Sequence, residues 1–120
     1  MLNSYKELTV WQKSIELVVG AYHLTKLFPK EETYGLISQM RRAATSIPAN
    51  IAEGYSRGHR LEYIQFIRIA FGSGAELETH LVIAKRLNFA PAKEFEKIEG
   101  LLSEVMKMLH ALFDNLNPKP

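Results

Sequence analysis

Between residues 95 and 116, Phe95, Ile98, Leu102, Val105, Leu109, Leu112 and Leu116 follow one another in steps of three and four without a miss. That spacing places all seven on one stripe of an α-helix, and a strand, which repeats every two residues, cannot use it. A helix with such a stripe must bury it against other elements. The rest of the chain supplies more of the same kind, because no stretch alternates polar and apolar residues between turn signals.

Three further helices are expected upstream. In the first, Trp11, Ile15, Val18 and Tyr22 form one apolar row, and Leu17, Ala21, Leu24 and Phe28 the adjacent one. Thr9 and Gln12 have the spacing of a capping box at its start, and Pro29 stops it by excluding the α region from the residue before it. The second begins near Thr33 or Tyr34 and carries Ile37, Met40, Ala44, Ile47, Ile51 and Tyr55, with Gly58 as its stop. The third shows Tyr63, Phe66, Ile67, Ala70, Gly74, Leu77, Leu81 and Ala84 on one face. Pro91 suits the first turn of the fourth, where a missing N–H costs nothing. The reading is all-α: one domain over 1–120, an antiparallel up-down four-helix bundle with helices at about 10–27, 34–56, 60–87 and 92–115. Leu101, Met106, Met108 and Phe113 widen the fourth helix's apolar face, and helix 1 has two rows; that surplus suggests subunit contact, or simply a broad core-facing stripe.

Two local features strain the helical reading. Pro48 lies inside helix 2, where proline removes a hydrogen bond and clashes with the preceding turn at a cost of about 3 kcal/mol. The small residues around it (Ala43, Ala44, Ser46, Ala49, Ala52, Gly54) let a neighbouring helix come close, so a kinked core helix is expected rather than a break. Gly72-Ser73-Gly74 interrupts helix 3, each glycine costing about 1 kcal/mol against alanine. No strand precedes it, so a phosphate loop is excluded. Close helix approach is expected at Gly74, against helix 2, and Gly72 leaves room for another group between Arg68 and Glu76.

Composition narrows the function. A chain of 120 residues can bury a real core, and no apolar run approaches the ~20 residues that span a bilayer. No basic segment followed by an apolar one opens the chain, and it holds no cysteine, so a cytoplasmic protein without disulfides or thiolate chemistry is expected. The four histidines, at 23, 59, 80 and 110, are isolated, and neither HExxH nor the Glu-x-x-His of di-iron bundles occurs. Glu76 and His80, one turn apart, read as a surface pair. No catalytic residue, metal or cofactor is expected, and no enzyme.

The placement of charge is more informative than the net charge of +2. All six arginines lie between residues 41 and 86, whereas eight of nine lysines lie outside that span. Arginine's planar fork suits carboxylates, phosphates and interfaces; lysine suits solvated faces. Glu53, Glu76 and Glu78 are the natural structural partners, Glu53 and Arg57 being an i,i+4 pair. Arg41 and Arg42 are expected to engage Glu76 or Glu78 if they are not free. Arg57 and Arg60, flanking the turn between helices 2 and 3, are expected to reach solvent.

Read together, "SQMRRAATSIPANIAEG" and "IRIAFGSGAELETHL" resemble the signature of the four-helix-bundle family encoded in intervening sequences of 23S ribosomal RNA genes. "LTVWQKS" and "LFPKEETYG" are similar to that family's first helix and turn, and the likeness covers nearly the whole chain. The resemblance implies a ring-like homopentamer. It also implies kinship with the accessory proteins of diversity-generating retroelements, which bind a reverse transcriptase and nucleic acid. The expected function is a non-enzymatic oligomeric bundle that binds RNA or DNA backbone through Arg41, Arg42, Arg57, Arg60 and Arg68. The alternative is an adaptor docking a protein such as a reverse transcriptase.

Overall fold

The computed structural model describes residues 3–117. Four α-helices, α1 (Thr9–Thr25), α2 (Leu36–Ser56), α3 (Arg60–Arg86) and α4 (Glu96–Leu116), are joined by short connections, with 3-10 turns at Tyr5–Glu7, Lys30–Glu32 and Ala92–Phe95. Each helix packs on the next, and α4 closes back on α1, so the four form an up-and-down bundle without strands among the described residues. The core is built from the periodic residues, among them Leu17, Met40, Ile47, Ile51, Ile67, Leu77, Ile98, Val105 and Leu109, all at or near zero exposure.

Local chemistry explains the helix ends. Gly58 takes the left-handed conformation (φ +67°) after α2, as a C-terminal stop requires. Asn88 does the same after α3 (φ 58°), and the Phe89 N–H reaches back to the Ala84 carbonyl at 3.1 Å in a Schellman closure. The capping box does not form. The preceding 3-10 turn puts the cap position on Leu8, Thr9 is already helical, and the Gln12 side chain donates instead to the Lys6 carbonyl at 2.9 Å. α1 also ends at Thr25, earlier than Pro29 alone would require. There the buried Thr25 hydroxyl donates to the Ala21 carbonyl at 2.7 Å.

α2 runs through Pro48 without a break, and Pro48 is buried. Its disturbed turn is tied by side chains: Asn50 Nδ2 donates to the Ser46 carbonyl at 2.7 Å and to Ser46 Oγ at 2.9 Å, and Ser73 Oγ of α3 donates to Ser46 Oγ at 2.8 Å. α2 and α3 make the most extensive contact in the bundle. The glycine that permits it is Gly54, where a Cβ would stand 2.6 Å from Phe66 Cβ and 3.1 Å from Tyr63 Cδ1. Gly74 does not serve this seam. It faces α4, and a side chain there would collide with the Met106 thioether. No side chain or neighbouring helix among the described residues comes within 4 Å of where a Gly72 Cβ would stand.

The two apolar rows of α1 have different fates. Leu17, Ala21, Leu24 and Phe28 are core; of the other row, Trp11 and Val18 pack half-buried against it while Ile15 and Tyr22 are exposed, and Val19 beside them is exposed too. On α4 the wide face is largely absorbed, because Leu101, Met106, Met108 and Phe113 pack half-buried against the core. Unanticipated apolar surface appears on α3 instead, where Leu61, Ile69, Phe71, Val82 and Ile83 are exposed, as is Leu87 just past its end.

Candidate nucleic-acid interface

The turn from α2 to α3 sets the first group of arginines. Because Gly58 reverses the chain within three residues, Arg57 at the end of α2 and Arg60 at the start of α3 share one end of the bundle. Arg57 is paired: its Nη2 lies 2.9 Å from Glu53 Oε2, its Nη1 lies 3.9 Å from Glu62, and its guanidinium covers the Phe66 ring at 5.1 Å. The hydrogen bond with Glu53 is the main influence pushing its pKa up from the ordinary value.

Arg60 and Arg68 are held differently. Arg60 Nη1 donates to the Leu116 carbonyl at 2.9 Å, closing the last turn of α4, where an orphan carbonyl and the negative end of the helix dipole welcome a cation. Arg68 lies over the face of Phe113, 4.9 Å from the ring centroid. Neither forms an ion pair among the described residues. A carbonyl and a ring orient a guanidinium but do not neutralise it.

The structure separates Arg41 and Arg42 from this group. Both lie near the start of α2, some 15 residues or about 22 Å from Arg57 along the helix. Arg41 turns to α1 rather than to Glu76 or Glu78: its Nε donates to Thr25 Oγ1 at 2.9 Å, and its guanidinium covers Tyr22 at 4.4 Å. This corrects the expected pairing; the acceptor lies across the α1–α2 seam, which sequence separation hides. Arg42 is exposed and lines a polar cleft with Gln39, Ser46, Ser73 and Glu76, without forming an ion pair among the described residues. Glu53 has its expected arginine; Glu76 faces His80 at 3.9 Å; Glu78 forms no ion pair among the described residues. The Glu76–His80 contact is not a surface pair, because His80 is buried.

Beside Arg68, sequence reasoning missed a slot of about 330 Å³ between α3 and α4, lined by Ile67, Arg68, Phe71, Leu109, His110 and Phe113. The available signal was Phe71, an aromatic off the buried stripe, three residues after an arginine. No group of three metal-ligating side chains occurs among the described residues, and no helix among them is long and apolar enough to cross a membrane.

These features define a class: an all-helical four-helix bundle with arginine side chains and exposed apolar rows on its surface. The chain belongs to the 23S rRNA-intervening sequence protein family, whose profile matches residues 6–111. The fold is similar to a crystal structure of an S23 ribosomal protein family member from Bacteroides thetaiotaomicron, described as a protein of unknown function. The two share 28% identity and a TM-score of 0.81, over 88% of this chain and 98% of that one. No curated protein matches the sequence.

Proposed function

We propose that this protein is a non-enzymatic, oligomeric helical bundle of the cytoplasm that binds RNA or DNA backbone through Arg60 and Arg68, with Arg57 beside them. The observation that carries this reading is the state of those two guanidiniums: both are positioned by α4, and neither is paired with a carboxylate among the described residues. A cation oriented in this way offers its remaining N–H donors to phosphate oxygens. Symmetric assembly repeats it around an axis, so a chain of modest net charge presents a strongly basic surface. The exposed rows Ile15, Val19 and Tyr22 on α1 and Ile69, Val82 and Ile83 on α3 are the apolar surface such an assembly would bury. A ring-like homopentamer is the form the family resemblance implies.

The same apolar rows favour a second reading, an adaptor that docks a protein partner such as a polymerase. Salt separates the two. Phosphate binding weakens with a log–log slope of about 0.9 per contact on duplex DNA and about 0.7 on single strands; docking on an apolar face is far less sensitive. Binding to structured RNA and duplex DNA is measured across a salt titration, with native mass spectrometry checking the assembly. The expected result is a steep slope, reduced by about one unit per contact removed in Arg60→Ala with Arg68→Ala, and an unchanged oligomer. No binding to either nucleic acid at low salt overturns the proposal, and a monomer overturns its oligomeric part.

A further inference from the structure

The slot beside Arg68 has a construction that backbone binding alone does not use. Its floor is apolar and closed, since Ile67 and Leu109 are fully buried. Two aromatic rings come from opposite helices: Phe71 of α3, 39% exposed, and Phe113 of α4, half-buried. His110 stands against Phe71 with ring centroids 6.4 Å apart, and Arg68 covers Phe113 at the other side. The charges at the rim are few. Arg68 has no carboxylate partner among the described residues, and Asp114, next to Phe113 on α4, lies 3.4 Å from His110 Nε2. An apolar floor, aromatic walls and a single unneutralised guanidinium together select a ligand that is planar, apolar on its faces and anionic at one edge. Duplex DNA does not offer a free base face, whereas a single strand offers one at every nucleotide.

We infer that the slot between α3 and α4 receives an unpaired base of a single-stranded nucleic acid, stacked on Phe71, with the edge of Phe113 as the opposite wall and its phosphate at the Arg68 guanidinium that covers the Phe113 face. This inference rests on the nucleic-acid reading above and makes it specific. Arg60 extends the track: it lies eight residues before Arg68 on α3, about 12 Å along the axis, and is held by the same helix α4. The base supplies contact area and the two arginines supply the phosphate contacts, which is the division of labour in single-strand binding without sequence readout.

The test compares a single-stranded oligonucleotide carrying 2-aminopurine with a duplex of the same length, on the full-length protein at low salt. The expected result is tighter binding of the single strand, with a change in 2-aminopurine fluorescence on binding. Phe71→Ala should weaken single-strand binding about 5- to 150-fold, the range for loss of one base–aromatic stack. It should leave duplex binding unchanged, and Phe71→Tyr should restore single-strand binding. Duplex binding with a normal salt slope, but no single-strand preference and no fluorescence change, overturns the slot and spares the backbone reading. A shift in oligomer mass in Phe71→Ala shows the slot to be a subunit contact and overturns it too. Failure of the wild type to bind either nucleic acid removes both proposals together.

Discussion

Gly54→Ala adds one methyl group at the close approach of α2 and α3, and its cost can be worked from the geometry. The new carbon would lie 2.6 Å from Phe66 Cβ, whereas carbon atoms rest at about 3.5–4.0 Å. Phe66 Cβ is bonded to its own backbone and cannot swing away. The Tyr63 ring, 3.1 Å from the new carbon, is backed edge-on by Tyr55 at 5.8 Å. α2 and α3 must therefore separate by about 1 Å, loosening a seam that also holds the Ser73–Ser46 hydrogen bond and the Tyr55–Tyr63 ring contact. Overpacking of this kind costs about 1–3 kcal/mol, and a clash against backbone-fixed atoms belongs at the upper end. Alanine returns about 1 kcal/mol of helix propensity, leaving a net loss of about 2 kcal/mol. Gly72→Ala is the internal control. It sits in the middle of α3 with open space around it, so only the propensity gain of about 1 kcal/mol remains. Urea unfolding at one fixed protein concentration, which keeps the contribution of assembly constant, should separate the two variants by about 3 kcal/mol. Gly74→Ala should fall between them, because the flexible Met106 side chain it meets can move aside. Equal stability of Gly54→Ala and Gly72→Ala would refute the close approach of α2 and α3 and the reasoning built on it.

Tyr63 has a buried hydroxyl without a hydrogen-bond partner among the described residues, and burial, with a smaller contribution from Tyr55, pushes its pKa up to about 12. The fold thus favours the neutral phenol. Its contribution is intact below pH 10 and is lost as pH rises towards 12, while the unfolded chain ionises first. Tyr63→Phe should leave neutral-pH stability unchanged or raise it by up to about 1 kcal/mol, and should delay alkaline unfolding between pH 10 and 12. Phenolate absorbance and circular dichroism check this, and a marked loss of stability at neutral pH would show that the hydroxyl has a partner. Arg41→Ala should cost about 1–2 kcal/mol, because it removes the bond to Thr25 and the stacking on Tyr22. It should leave nucleic-acid affinity and its salt slope unchanged in the titration described above; a reduced slope would return Arg41 to the binding surface.

The helices were legible because their signals are local. The three- and four-residue steps of α4 and the left-handed Gly58 each act within a turn or two of chain, and the helices form around them. The two prolines lie outside the helices they were expected to bound, Pro29 four residues past the end of α1 and Pro91 ahead of the 3-10 turn that precedes α4, not in the first turn of α4 itself. Gly54 was legible as one of several small residues on α2, and Glu53 with Arg57 as an i,i+4 pair, for the same reason. Partners across the bundle were not. Nothing in the order of residues says that Gly74 meets Met106 rather than α2, or that Arg41 finds Thr25, 16 positions away, in place of a glutamate. Nor does it say that Arg60 closes the end of a helix 56 residues downstream, or that Phe71 and Phe113 frame a slot. Periodicity places a side chain on a face of its own helix. Which neighbour that face meets depends on the rotation and separation of helices packed together, and those are set by the steric fit of the whole core at once.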